Sequence, residues 1–383
     1  MPAPFASRPS PKLVFGPGTL RELPACVREV GGSSVFLVSD TGLLKAGHVG
    51  KAEKLLKDAG IPVTLYDHSH ENPTESDAAT CRDAAQQQPF DCFVALGGGS
   101  SMDTAKACNF LLTNGGAMRD YHGYGKAAKP MLPLIAIPTT AGTGSECQSY
   151  ALVSRDDTHE KMACGDPKAR ARVAILDPEL TATQPKSVAI QTGLDALAHA
   201  LESAVCTKRN PISSLYSEGA FKNISAAIGS VLTGHSSLED RGQMQLGAAL
   251  AGLAIENSML GAAHATANPL TARHGVTHGH AVAMMLPHVM RFNAREPAIN
   301  AIYERYAAIL KEAGASQLSL INWIEEVVSR SVIPGINGAA NDDLAGLAHD
   351  AAKQWTGQFN PRPLQADDYI ALYRSAFQAH AVR

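Results

Sequence analysis

The chain changes texture once, near residue 184, and that change limits the possible folds more than any other feature. Up to about residue 183, short β-branched runs alternate with helical patterns: "SVFLVSD", "LLKAGHVGKAEKLLKDAG", "IPVTLYD", "ESDAATCRDAAQQQ" and "FDCFVALGGGS" follow one another. Strands separated by helices of that length build βαβ units on a parallel sheet. Two more strand-like runs follow, "MLPLIAIPTT" and "RVAILDPEL". Beyond residue 184, "VAIQTGLDALAHALESAV", "QMQLGAALAGLAIENSMLGAAHATA" and "AINAIYERYAAILKEAG" carry helical periodicity, with small residues where helices can approach closely. The pattern predicts a Rossmann-like α/β domain over residues 1–183 and an all-helical domain over 184–383. Turn-forming residues in "DPELTATQPKS" join them, and the cleft between is the expected ligand site.

Composition narrows the partners. A chain of 383 residues exceeds what one core usually serves. A net charge of −3 gives no basis for binding nucleic acid or an anionic membrane, so small molecules are expected. No window approaches the roughly 18 apolar residues of a membrane span. The start, "MPAPFASRPS", lacks a signal-peptide core and reads as a loose arm, which predicts a cytoplasmic protein. The seven cysteines are odd in number and scattered without a C-x-x-C pair, the usage of reduced, buried thiols.

"FDCFVALGGGSSMDTAKACNFLL" runs from an apolar strand through Gly97, Gly98 and Gly99 into a helix opened by Ser100, Ser101 and Asp103. Glycines at such a junction let backbone approach a phosphate, while the first free amides of the helix point at the anion. The plainer reading is a tight turn with Ser100 as N-cap. The loop does not match G-x-G-x-x-G. After a later strand, "IPTTAGTGSE" places Thr139, Thr140 and Thr143 among glycines, hydroxyls suited to a ligand's polar groups. Asp40 ends "SVFLVSD", where a carboxylate can accept from both hydroxyls of an adenosine ribose and repel a 2′-phosphate, or simply cap the next helix.

"GAAHATANPLTARHGVTHGHAVAMMLPH" holds five histidines in an almost uncharged stretch. Asp195 and His199 in "GLDALAHALES" are four apart, on one helical face, a spacing shared by many ordinary hydrogen-bonded pairs. His264 lies on a later helix with Asn268 one turn on, and Pro269 is expected to stop that helix before the loop "TARHGVTHG". His278 stands at the entry to the next helix. Three imidazoles and one carboxylate would suit Fe²⁺ or Zn²⁺ equally.

At this point the sequence resembles the iron-containing, group III, alcohol dehydrogenase family, whose architecture is shared with dehydroquinate synthase. The resemblance runs from "FGPGTL" through "GGGSSMDTAKA", "IPTTAGTGSE", "GLDALAHALE" and "GAAHATANPL" to "THGHAVAMMLPHVMRFN". It implies an NAD-linked alcohol dehydrogenase or aldehyde reductase, with a small alcohol or aldehyde as substrate and Fe²⁺ or Zn²⁺ on Asp195, His199, His264 and His278. It implies cofactor contacts at Asp40, Asn72 of "ENPT", Gly98, Gly99, Ser100, Asp103, Thr139, Thr140, Thr143, Lys161 and Leu180. A homodimer is the default assembly.

His274, His280 and His288 receive no role from the resemblance, and His288 reads as structural. Asn268 stands where the family commonly has a second histidine near the nicotinamide, which puts proton relay through that position in doubt. Thr277 replaces the family's proline, Val282 an asparagine, and Tyr150 an asparagine near the cofactor. A maleylacetate-reductase-like oxidoreductase is the nearer alternative, although such enzymes tend to lose the metal ligands. A sugar-phosphate cyclase would need several cations for anionic substrates, and this stretch offers only Arg273.

Overall fold

The computed structural model describes residues 4–8, 10–158, 160–331, 336 and 343–381. The chain divides into Pro9–Gln184 and Pro185–Arg383, and the segment Met1–Arg8 groups with the second unit.

The first unit holds strands β1 (Lys12–Phe15), β2 (Val35–Val38), β3 (Val63–Tyr66), β4 (Cys92–Gly97), β5 (Gly123–Tyr124), β6 (Leu134–Pro138), β7 (Tyr150–Ser154), β8 (Lys161–Gly165) and β9 (Val173–Leu176). Its helices are α1 (Leu23–Glu29), α2 (Thr41–Lys45), α3 (His48–Asp58), α4 (Glu75–Ala85) and α5 (Gly99–Asn114). Six strands make one sheet in the order β1-β9-β6-β4-β2-β3, every pairing parallel. Alternation along the strands explains why both faces must be covered. Val35 and Leu37 of β2, with Val94 and Leu96 of β4, join one buried cluster, while Phe36, Val38, Phe93 and Ala95 join another. That is the near-continuous apolar run of a parallel sheet with helices on both sides.

From β2 the chain goes to β3 on one side and then to β4 on the other, so the strand order reverses between β2 and β4. At such a switch point the loops after the strands leave a crevice. Asp40 and the triple glycine follow these two strands.

A second sheet, β5-β8-β7, was not expected from the sequence. β7 and β8 pair antiparallel from Tyr150↔Gly165 to Ser154↔Lys161. β1, on the edge of the large sheet, is likewise absent from the sequence reading.

The second unit is helical, with no strand among its described residues. It comprises α6 (Lys186–Val205), α7 (Pro211–Thr233), α8 (Leu238–Glu256), α9 (Ala262–His274), α10 (His278–Asn293), α11 (Pro297–Glu312), α12 (Leu320–Arg330), α13 (Leu344–Lys353) and α14 (Ala366–Ala381). Helix α7 begins at Asn210, whose side chain accepts from Ile212 and Ser213 amides, with Pro211 at the first helical position. Every residue of α6 from Gly193 to Val205 is buried, which marks it as the central helix. Arg8, within the stretch expected to be loose, is tied down: its amide donates to Asn257 Oδ1 at 2.8 Å and its guanidinium meets Glu256 at 3.2 Å.

Pro269 does not stop its helix; α9 continues five residues past it to His274 and ends at Gly275, φ +64°. Proline removes one N–H and its hydrogen bond, a loss a buried helix packed on neighbours can absorb. The loop "TARHGVTHG" therefore shrinks to Gly275–Thr277. All seven cysteines are free and buried, as the spacing predicted. No helix among the described residues is long and apolar enough to cross a membrane.

Helix α10 enters against α6 at Gly279, where any Cβ would be driven into the Gln191 carbonyl oxygen. Backbone cannot move aside as a side-chain end can. Gly279→Ala should therefore cost about 1–3 kcal/mol through overpacking, read as a lower midpoint in thermal unfolding. A midpoint equal to wild type would show that α6 and α10 tolerate separation.

Candidate active site

In the first unit the segments after β2, β4 and β6 carry most of the predicted cofactor residues, while Asn72 follows β3, Lys161 opens β8 and Leu180 follows β9. Asp40 does cap α2, its side chain accepting from the Leu43 amide at 3.0 Å. Ser100 does not cap α5. The N-cap is Gly98, which has no side chain to offer, so the opening amides of a 16-residue helix receive no side-chain cap. Uncapped amides and the helix dipole together favour an anion.

Threonines crowd this turn. A Cβ on Gly99 would lie 2.8 Å from Thr143 Cγ2, and one on Gly98 would lie 3.4 Å from Thr140 Cγ2. The Thr139 amide donates to the Gly97 carbonyl at 2.9 Å, continuing the β4–β6 pairing into the loop. Asn72 is the only described non-glycine residue with positive φ, at +52°. Its side-chain oxygen accepts from Lys161 Nζ at 3.1 Å and its amide donates to Ser100 Oγ at 3.3 Å. Asn72, Ser100 and Lys161 are thus brought together. Leu180 is 3% exposed and belongs to the apolar cluster under the sheet.

Asp103 is buried one turn into α5 and accepts from Ser145 Oγ at 2.8 Å. Burial pushes its carboxyl up to about 6 against the nearby Lys106, Ser145 and Lys161. Lys106 was not singled out in the sequence, yet it is fully buried. Its ammonium donates to the Ser145 carbonyl and hydroxyl at 2.7 and 2.9 Å, and to the Gln148 and Tyr150 carbonyls at 2.9 Å each. It ties α5 to the threonine loop. Glu146, also missed, is buried beside it with its carboxyl pushed up to about 7 by desolvation. A lysine and an acid in "MDTAKACNFLL" and "GTGSE" were the available signal, since charges in apolar segments need partners.

In the second unit, ligand atoms of Asp195, His199 and His264 lie within 4.8 Å of one another, all three buried. Asp195 Oδ1 lies 3.4 Å from Nε2 of both His199 and His264, and 3.8 Å from His278 Nε2. The rings of His199 and His264 stack at 4.9 Å between centroids. The side chain of His278 is 25% exposed, so the cluster has one wetter side. Burial opposes ionisation of Asp195, but His199, His264 and His278 hold its carboxyl well below the usual range. Burial likewise opposes charge on His264, while Glu202 and Asp195 raise it to about 9. Glu202 was also missed: its Oε2 meets His264 Nδ1 at 2.5 Å and its Oε1 accepts from the Ala263 amide at 2.7 Å.

Asn268 lies on α9 one turn after His264. Its amide donates to Gln354 Oε1 at 2.9 Å. Arg273, the cation that a cyclase reading would need, is paired with Asp350 through Nε at 3.2 Å.

Comparison with known proteins accounts for both halves. The family described as iron-containing alcohol dehydrogenase matches residues 10–178, and its C-terminal counterpart matches residues 189–377. This chain belongs to the iron-containing alcohol dehydrogenase family. It is 34% identical over 369 residues to alcohol dehydrogenase 4 of Schizosaccharomyces pombe, covering 95% of this chain and 87% of that one. It is 30% identical to the NAD-dependent methanol dehydrogenase of Bacillus methanolicus, covering 96% and 98%. Its fold is similar to the crystal structure of a 1,3-propanediol oxidoreductase, with a TM-score of 0.89, 29% identity, and 98% and 100% of the two chains covered. As a member of this iron-containing alcohol dehydrogenase family the protein is an oxidoreductase of alcohols and aldehydes, and the cyclase reading falls away.

The raised Asp103 carboxyl has a measurable consequence. Its folded value of about 6 lies above the ordinary 3.8, so the folded state holds the proton more tightly, and its contribution to stability falls as pH rises through that window. Asp103→Asn removes the effect. Between pH 4.5 and 7.5, wild type should lose about 2 kcal/mol relative to Asp103→Asn in denaturant unfolding. A difference that stays flat with pH would mean that Asp103 titrates normally.

Proposed function

We propose that this protein is an NAD-linked, metal-assisted dehydrogenase of small alcohols, equally able to run as an aldehyde reductase. The observation that carries the reading is the buried meeting of Asp195, His199 and His264 with His278 beside them. Asp195 Oδ1 and His264 Nε2 are buried without a hydrogen-bond partner although only 3.4 Å apart. Buried polar atoms are almost always satisfied, and a divalent cation satisfies both at once. One carboxylate oxygen and imidazole nitrogens are donors that Fe²⁺ and Zn²⁺ accept. The residues present therefore fit a metal, held by Asp195, His199, His264 and His278.

When bound, Fe²⁺ or Zn²⁺ supplies Lewis acidity toward the substrate oxygen, and NAD supplies the hydride acceptor. The chain's own residues do the rest. Gly98 and Gly99, with the uncapped start of α5, receive the pyrophosphate. Thr139, Thr140 and Thr143 offer hydroxyls and backbone around it, and Asn72 with Lys161 forms a polar pair close to Ser100. Leu180 contributes an apolar wall rather than a polar contact. Asp40, already held by the Leu43 amide, presents its carboxylate to the adenosine ribose. Asn268 orients groups through its amide and moves no proton, since an amide does not titrate near neutrality.

Metal content tests the first half. Asp195→Ala and His278→Ala should each lower bound Fe²⁺ or Zn²⁺ and reduce alcohol oxidation by orders of magnitude, with the helical content unchanged. Full occupancy by elemental analysis in both variants would remove the site. Alcohols and aldehydes assayed with each cofactor at 340 nm after metal loading would then define the substrate range.

Cofactor choice tests the second half. A carboxylate at Asp40 repels a 2′-phosphate, so kcat/KM should favour NAD over NADP, and Asp40→Gly should narrow the ratio at least tenfold, or about 1.4 kcal/mol. Equal efficiency of wild type with both cofactors would end the argument from Asp40.

A further inference from the structure

We infer that Glu202 is a positioning residue that sets the tautomer of His264 and, through it, the metal affinity of the site. The inference rests on the metal reading proposed above and goes one step outward from it, to a residue that touches no substrate or cofactor.

Glu202 sits seven residues after Asp195 on α6, the same face two turns later, and is 4% exposed. Its carboxylate makes two contacts with consecutive residues of α9. Oε1 accepts from the Ala263 amide at 2.7 Å, and Oε2 meets His264 Nδ1 at 2.5 Å. An ionised carboxylate only accepts, so the ring must donate from Nδ1. In a neutral imidazole that leaves the lone pair on Nε2, the nitrogen 3.4 Å from Asp195 Oδ1. One side chain therefore fixes both the rotation of the ring and the nitrogen that can ligate.

The start of α9 is built for this contact. Gly261 provides no side-chain cap, and the first amides of the helix turn to distant acceptors: Ala262 to Asn360 Oδ1 at 3.3 Å, Ala263 to Glu202. A Cβ on Gly261 would lie 3.0 Å from Asn360 Oδ1 and 3.1 Å from Glu202 Oε1. Glycine lets both acceptors come close. Asn360 touches the helix start but not the ring, which supplies a control.

Glutamine at 202 keeps the shape and loses one acceptor. A carboxamide can accept from Ala263 or from His264 Nδ1, and its NH₂ must face the other. With NH₂ toward the ring, Nδ1 has to accept and the proton moves to Nε2, where it blocks ligation.

The test uses the full chain stripped of metal and titrated with Zn²⁺ against a chromophoric chelator. Glu202→Gln should bind Zn²⁺ about 10- to 100-fold more weakly than wild type. Asn360→Ala should lower the unfolding midpoint of the metal-free protein and leave Zn²⁺ affinity within about threefold, on the same scale. In Zn²⁺-loaded wild type, ¹⁵N spectra of the His264 ring should show the proton on Nδ1, a measurement that needs no variant to fold. Wild-type affinity in Glu202→Gln, an equal loss in Asn360→Ala, or a ring proton on Nε2 would each overturn the proposal alone. A wild type that binds no Zn²⁺ would overturn the metal reading and this proposal together.

Discussion

The helical unit gathers three histidines around the buried carboxylate of Asp195. Asp195 lies in the stretch of α6 that is buried on every side, where an isolated carboxylate is several kcal/mol out of place. Three imidazoles from α6, α9 and α10 surround it, and each has to reach the same oxygen. The packing follows from that demand. His199 arrives by helical spacing alone. His264 needs its ring held toward Asp195, which Glu202 of α6 does by accepting from the Ala263 amide and meeting His264 Nδ1. His278 needs α10 to begin hard against α6, which only a glycine at position 279 permits.

The α/β unit solves a different problem with different means. Its candidate binding surface is mostly backbone and hydroxyl, placed after strands on either side of the point where the sheet order reverses. Precision there depends on what lies beneath. Lys106 gathers three carbonyls and a hydroxyl from the segment between Ser145 and Tyr150, so the threonine loop is anchored to the helix that carries the glycines. A lysine fully removed from water is tolerable because every ammonium proton is accepted and two acids, Asp103 and Glu146, lie near. One unit gathers buried charged side chains; the other presents backbone amides and hydroxyls.

Much of this was legible in the sequence, for physical reasons that also explain what was not. Strands such as Val35–Val38 and Cys92–Gly97 are apolar on both faces, and the i,i+4 pair Asp195–His199 is local, so short windows reveal them. The small sheet escaped because Lys161–Gly165, "KMACG", has no β-branched residue and draws its order from pairing with Tyr150–Ser154. Glu202 escaped because its partner is 62 residues away and nothing local distinguishes a buried acceptor from a surface glutamate, whereas Lys106 shows locally as a charge in an apolar run but its partners, about 40 residues away, do not. Ser100 was legible as polar and helix-initial but not as the acceptor for the Asn72 amide, since the cap fell on Gly98 instead.

The misreading of Pro269 carries the most weight, because it changes what Asn268 can be. A helix ended at Pro269 would leave Asn268 at a frayed terminus, free to turn toward a ligand. In the structure α9 runs on to His274, and Asn268 sits mid-helix, one turn beyond His264, with its amide committed to Gln354. A side chain held at both ends, by helix backbone and by a neighbour's carbonyl, contributes geometry. An amide so held cannot deliver a proton. Any proton lost or gained in alcohol oxidation has to travel by groups that titrate or by water, and the histidine that resemblance to the family would have put at this position is not there to carry it.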